Sequence, residues 1–307
     1  MFKNKIILLC LLLLPIFAKA NKDSCHFFKP SQTYNKSRFC AVLLGEGAFY
    51  VGGLAALNSL WYKDYPRTSF HSFNDNSEWL QMDKVGHAFS AYQLTRTGIS
   101  FYKWTGVKKN LVYGTVSSLL FLSSIEILDG FSSAWGASSG DVVANVGGCG
   151  LASFQELAWQ EQRIQVKFSY SPSKFAAYRP NVLGANFTQQ LFKDYNAQTY
   201  WLSINPASFI KSSRPNFLSF LNVAIGYGAN GMIGGSSNPL LDNNGIIYPV
   251  FNRYRQFYIS ADIDLSRMKT KSEFLNKLLG AFSCIKIPFP GIEFNNNKGF
   301  LVHPFIF

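Results

Sequence analysis

The strongest constraint on this chain is a change of periodicity near residue 163. Upstream, four apolar stretches are each long enough for a helix. They run from Cys40 to Tyr62, from Asp83 to about Trp104, from Lys109 to about Leu128 and from Asp141 to about Trp159. They are rich in Gly, Ala and Ser, as at Gly52-Gly53, Ser117-Ser118 and Gly147-Gly148-Cys149-Gly150. Small residues let helix backbones approach closely, as in membrane bundles. Glu46, Arg96 and Glu126 interrupt the first three stretches. The pattern therefore predicts a compact bundle, partly embedded in a membrane or lying against one, over four ordinary spans.

Downstream the period shortens to two. Tyr200–Asn205, Leu221–Gly228 and Gln256–Leu265 alternate, and in the last Phe257, Ile259, Ala261, Ile263 and Leu265 share one face. That is strand patterning. Ser272–Phe282 interrupts it with helical spacing, and the chain closes on Gly299–Phe307. A terminal Phe after alternating apolar residues suits the last strand of an outer-membrane β protein, or an ordinary buried strand. Too few strands are evident for a complete barrel. The expected fold is α+β: an apolar helical bundle over 40–162, then a strand-rich region over 163–307, a partial sheet or barrel.

The chain opens with Lys3 and Lys5, an apolar run from Ile6 to Phe17, and Ala18-Lys19-Ala20. This is the order of a cleavable signal peptide, expected over 1–20, followed by an arm over 21–39. The run is short for a membrane span, which needs roughly 20 residues. Cys10 sits inside the apolar run and Cys25 follows Lys22-Asp-Ser, so neither sits in a lipobox. An exported chain can form disulfides, and Cys25 with Cys40 is the expected pair. Cys149 is expected as a buried free thiol, and no Cys-x-x-Cys suggests zinc.

Charged residues make up only 15% of the chain and aromatics 16%, where about 25% charged is usual for soluble domains. Loss of the leader would take three lysines from the formal net charge of +12. Few charges, many aromatics and a basic balance suit contact with membrane lipid. No Lys/Arg-rich block or nucleic-acid motif is present, so nucleic acid is not an expected partner.

The polar residues inside the apolar stretches carry the chemistry. Asp83, Lys84 and His87 open the second, Glu126 and Asp129 close the third, and Asp141 and Asn145 open the fourth. Spacings of three and four put each pair on one helical face. Carboxylates and imidazole in apolar helices are costly unless they meet one another, so convergence at one end of the bundle is expected. Three readings follow. The cluster is a satisfied network that fixes helix packing. Or His87, Glu126, Asp129 and Asp141 hold a divalent metal, or act as catalytic groups with His87 as nucleophile or base. Or the cluster binds a lipid headgroup, with Lys84 and Arg96 as anionic-group contacts and Asp83 and Asn145 lining the site.

The order Asp83-Lys84-x-x-His87, Glu126-x-x-Asp129, Asp141-x-x-x-Asn145-x-x-Gly148 resembles the YfiM-like predicted periplasmic lipoproteins, domain-of-unknown-function family 2279. It is similar to that of the VanZ-like membrane proteins too. This resemblance covers about residues 80–150. The stretches Lys193–Ser203 and Arg255–Asp262 look like the tail of longer, Bacteroidetes-type members of that family. The resemblance implies an envelope protein and supports the polar site, but it supplies no reaction.

Glu46 could join the cluster. His26, His71 and His303 are expected to be structural or exposed, His303 having no carboxylate nearby in sequence. Gly45–Gly53 lacks the ending of a phosphate loop, and no Gly-x-Ser-x-Gly supports a lipase-type nucleophile. Two functional expectations remain. One is a structural or biogenesis component of the cell envelope, at the outer membrane or its periplasmic face, or in the inner membrane with a periplasmic region. The other is a metal- or His-dependent hydrolase of an envelope lipid or phosphate ester.

Overall fold

The computed structural model describes residues 27–210, 217–242 and 244–307. The expected leader and His26 lie outside the described residues, as does Cys25, and with it the expected pairing to Cys40. Cys40, Cys149 and Cys284 are free among the described residues, and Cys149 is buried.

Four long helices come first. They are α1 (Lys36–Leu57), extended by a π turn over Asn58–Tyr62, α2 (Met82–Thr105), α3 (Asn110–Gly130) and α4 (Ser139–Trp159). The starts are set by caps. The Asn35 side chain accepts from Arg38 N and so begins α1 inside the expected arm, and Ser138 caps α4 by accepting from Asp141 N. A side-chain oxygen at this position satisfies an amide that the helix cannot.

α2 is the spine. At its crossing with α3, a Cβ on Gly114 would stand 2.3 Å from Ile99 N. At its crossing with α4, a Cβ on Gly148 would stand 2.2 Å from Ala88 O. Gly114 and Gly148 are thus where the backbones touch, whereas Gly52, Gly147 and Gly150 meet nothing within 4 Å. By contrast α1 and α3 face outward: each is long and apolar enough to cross a membrane, and only 6% and 22% of their most apolar windows are buried.

The second half is a six-stranded antiparallel meander in the order β1 (Ile164–Tyr170), β2 (Gln198–Ile204), β3 (Leu221–Asn230), β4 (Tyr254–Ile263), β5 (Phe289–Asn295), β6 (Gly299–Ile306). Short helices α5 (Pro180–Leu183) and α6 (Phe187–Lys193) lie between β1 and β2, and α7 (Glu273–Phe282) lies between β4 and β5. The molecule is therefore α+β, with the helical part preceding the strands. The alternation in sequence marks β2, β3, β4 and β6. It is obscured in β5, where Pro290 and Gly291 accompany a register shift, and in β1, where the alternate position is Lys167.

The register sorts side chains into rows. On one face Val166, Leu202, Ile225, Ile259, Ile292 and Val302 are cross-strand neighbours in turn. The next row on that face is wholly aromatic: Phe168, Tyr200, Tyr227, Phe257, Phe294 and Phe300. α2 covers this face over β1 and β2, through Phe89 against Phe168 and Tyr200, and its first residue, Met82, packs with Tyr227 and Ala229 at one end of β3. Beyond that corner it is open, from Ile225 on β3 through to β6, up to 77% exposure at Phe300 and 81% at Val302.

The opposite face is polar and buried. Lys167 on β1 pairs with Asp262 on β4 at 2.6 Å, both side chains fully buried. Three strand spacings in a flat sheet would part them by about 14 Å, so the sheet curls strongly toward this side. Lys286 packs there over Trp201 and donates to Ala261 O at 2.9 Å. Its own backbone N–H and Cys284 O bond Phe168, covering the free edge of β1. His303 meets a carboxylate that its sequence neighbourhood does not offer: its Nε2 lies 2.8 Å from Glu293 Oε2. The partners sit ten residues apart and face each other only across the β5–β6 hairpin.

Candidate functional site

The polar residues converge where α2 and α4 begin and α3 ends. Lys84 lies at the centre. Its Nζ stands 2.6 Å from Asp75 Oδ2, 3.0 Å from Asp83 Oδ2 and 2.8 Å from Asp141 Oδ1. One turn along α2, His87 Nε2 is 3.9 Å from both Asp83 Oδ1 and Asp141 Oδ1. The other ring nitrogen, Nδ1, lies 3.2 Å from Asn145 Oδ1 and 3.6 Å from Glu126 Oε1. Ser138 ties the start of α4 to this group: its amide donates to Glu126 and its hydroxyl donates to Asp75 at 2.6 Å.

The sheet half reaches in as well. The Tyr195 hydroxyl, just before β2, donates to Asp83 Oδ1 at 2.7 Å. Trp79, Leu80 and Gln81, immediately before α2, all have positive φ, from 48° to 65°. Consecutive non-glycine residues in this region carry strain of order 1–3 kcal/mol each. Contacts from the sheet side hold the turn. Trp79 N donates to Gly235 O, the Tyr227 hydroxyl to Leu80 O, and Arg255 to the Gln81 side chain. The turn aims α2 so that Asp83, Lys84 and His87 face α4 together. Space is tight: a Cβ on Gly140 would meet Asn76 Oδ1 at 2.0 Å.

Burial and charge oppose each other here. Burial pushes Asp83 up, but His87 and Lys84 together leave it below its ordinary value. Burial lowers His87, yet Asp83, Asp141 and Glu126 raise it overall. Lys84 behaves likewise, held high by Asp83, Asp141 and Asp75 against the effect of burial. Asp141 moves up, first through burial and then through repulsion by Asp83. The surrounding carboxylates thus stabilise the charged imidazole and ammonium against the cost of burial.

Asp83, His87 and Asp141 each present a ligand atom within 4.8 Å of the others. Nitrogen and carboxylate oxygens suit a divalent ion. The fit is poor in two respects. The 3.9 Å separations exceed the roughly 3.3 Å edge of a tetrahedron with 2.0–2.1 Å bonds, and the Lys84 ammonium already neutralises the same carboxylates.

Not every expected residue joins. Asp129 is held by the Tyr62 hydroxyl at 2.8 Å, beside the group. Arg96 is elsewhere: thirteen residues along α2 from Asp83, or about 20 Å of helix rise, it donates to Ser283 Oγ and Gly280 O. Glu46 also lies at that far end, accepting from Tyr102 and Ser117. Cavities of about 450 Å³ beside Thr33 and Lys108 and about 300 Å³ beside Glu161 and Arg267 are likewise away from the cluster.

Three contributors escaped the sequence reading. Ser138-x-x-Asp141 matches a helix-start signature and could have been found. Tyr195 lies in the tail stretch 193–203 but carries no spacing signal. Asp75 sits in a loop, where no periodicity points to a partner.

No curated protein and no solved structure matches the chain. Residues 72–157, which hold Asp75, Asp83, Lys84, His87, Glu126, Ser138, Asp141 and Asn145, match the family described as predicted periplasmic lipoprotein, domain of unknown function 2279.

Proposed function

We propose that this protein is a structural or biogenesis component of the bacterial cell envelope, held at the outer membrane through its sheet. The observation that carries this reading is the inverted polarity of the strands. A soluble sheet buries its apolar face and wets its polar one. Here Ile225, Ile259, Ile292 and Val302, with Phe257, Phe294 and Phe300, are exposed while Lys167, Asp262, Ser203 and Glu293 are buried. Apolar outside, polar inside, with an aromatic row beside an aliphatic band, is the pattern of outer-membrane strands. The outward faces of α1 and α3 fit the same solvent. In this reading the cluster fastens α2, α3 and α4 to one another and, through Tyr195, to the sheet half.

Fractionation of envelopes tests the location. The protein is expected with the outer membrane after both high-salt and alkaline washes. Release by salt alone would overturn lipid contact, and recovery with the inner membrane would overturn the choice of membrane.

A second reading is favoured by one observation, the proximity of Asp83, His87 and Asp141: a metal- or His-dependent hydrolase of an envelope lipid or phosphate ester. Metal analysis and thermal unfolding with and without chelator separate the two. The structural reading expects no stoichiometric metal and an unmoved midpoint. A divalent ion lost on His87→Ala and Asp141→Asn, together with chelator-induced destabilisation, would favour the hydrolase.

A further inference from the structure

We infer that α7 lies in the headgroup layer of an anionic bilayer as an interfacial anchor; this rests on the membrane reading above and adds the lipid class and the element that meets it. At 100° per residue, Phe274, Leu275, Leu278, Ala281 and Phe282 fall on one arc of the helix. All five are exposed, and no residue of the helix is buried. The other arc, with Glu273, Asn276, Leu279 and Gly280, is the partly covered one. A surface helix of a soluble protein has the opposite arrangement, its apolar stripe turned to the core.

The helix is firmly fixed in this orientation. Arg96 grips Gly280 O and Ser283 at its C-terminal end. Phe28 packs on Phe274, and Asn276 bonds Thr270 N and O at the other end. The outward apolar face is therefore built in.

Charge identifies the occupant. Exposed Lys269, Lys271 and Lys277 flank the apolar arc. The acidic residue of the helix, Glu273, is 3.9 Å from Lys29, which adds a fourth basic group at the same end. An apolar arc edged by lysines is the composition of helices that lie in the plane of an anionic membrane surface. Ile285, exposed just beyond α7, extends the apolar surface, and its backbone bridges to Phe168 on β1.

The test uses the full mature chain with its native cysteines replaced by serine. A fluorophore is placed at Leu278→Cys on α7 or, separately, at Ile259→Cys on the sheet. Each protein is reconstituted into phosphatidylcholine vesicles with or without phosphatidylglycerol, and quenching by headgroup-level nitroxide lipid is compared with quenching by aqueous iodide. At position 278 nitroxide quenching is expected to dominate and to rise at least about twofold with phosphatidylglycerol. Exchange of Lys269, Lys271 and Lys277 for Gln should abolish that rise. Iodide-dominated quenching at 278 with lipid quenching at 259 would overturn the anchor and leave the sheet reading standing. Iodide-dominated quenching at both would overturn both. A signal at 278 indifferent to phosphatidylglycerol would overturn the anionic-lipid assignment.

Discussion

Two ion-paired lysines, one in each half, use the same chemistry to different ends. Lys167, inside the curled sheet, meets Asp262 with neither side chain exposed, and Lys286 and Ser203 complete a network in which donors and acceptors match. Lys84, at the end of the helical bundle, faces Asp75, Asp83 and Asp141, with Glu126 beyond His87. There carboxylates outnumber cations, and the group keeps some access to solvent. The first arrangement holds a sheet closed around a polar interior. The second holds helices together under a surplus of negative charge, which raises Lys84 and His87 against the effect of burial.

The largest expected effect comes from breaking the closed pair. Asp262→Asn leaves the Lys167 ammonium buried without its counter-charge, a loss of about 3–5 kcal/mol in denaturant unfolding. A loss below about 1 kcal/mol would show that water reaches Lys167 and that the sheet is not closed on this side.

Lys84→Met sharpens the contrast. It leaves the carboxylates of Asp75, Asp83 and Asp141 facing one another, and the expected cost is about 1–3 kcal/mol, smaller than in the sheet because the cluster is not fully enclosed. Adding Asp141→Asn should recover part of the loss, since the two changes share one network. Purely additive losses would separate Lys84 from Asp141 energetically.

The smallest effect is the part of the pH dependence that the helical cluster carries. His87 is raised in the fold, so its charged form contributes stability below its ordinary value. That contribution fades as pH rises through the raised one. Asp83 is lowered, so its contribution is present above its ordinary value and fades as pH falls through the lowered one. Thermal midpoints should therefore slope downward above neutrality in the parent, and His87→Gln should flatten that slope. An unchanged slope in the variant would assign it to another group.

Much of the helical half was legible because its signals are local. Apolar runs, the small residue at Gly148, and the spacing of Asp83, His87, Asp141 and Asn145 follow from a 3.6-residue period that any segment displays by itself. Strand alternation exposed β2, β3, β4 and β6 equally well. The pairing partners were another matter. Lys167 with Asp262, His303 with Glu293, Arg96 with Ser283 and Tyr195 with Asp83 join elements that no local period connects.

By itself the sequence determined which faces are apolar and which helical residues must find polar company, because burying a lone charge is costly. Only the tertiary structure decided which way those faces point. A period of two says that Ile259 and Ser260 lie on opposite sides of a strand; it does not say which side is the inside. That choice is made by the curl of the sheet around Lys167 and Asp262 and by α2 covering only its first two strands and one end of β3. The same packing sends Arg96 to α7 and puts Lys84 at the centre of the acidic group.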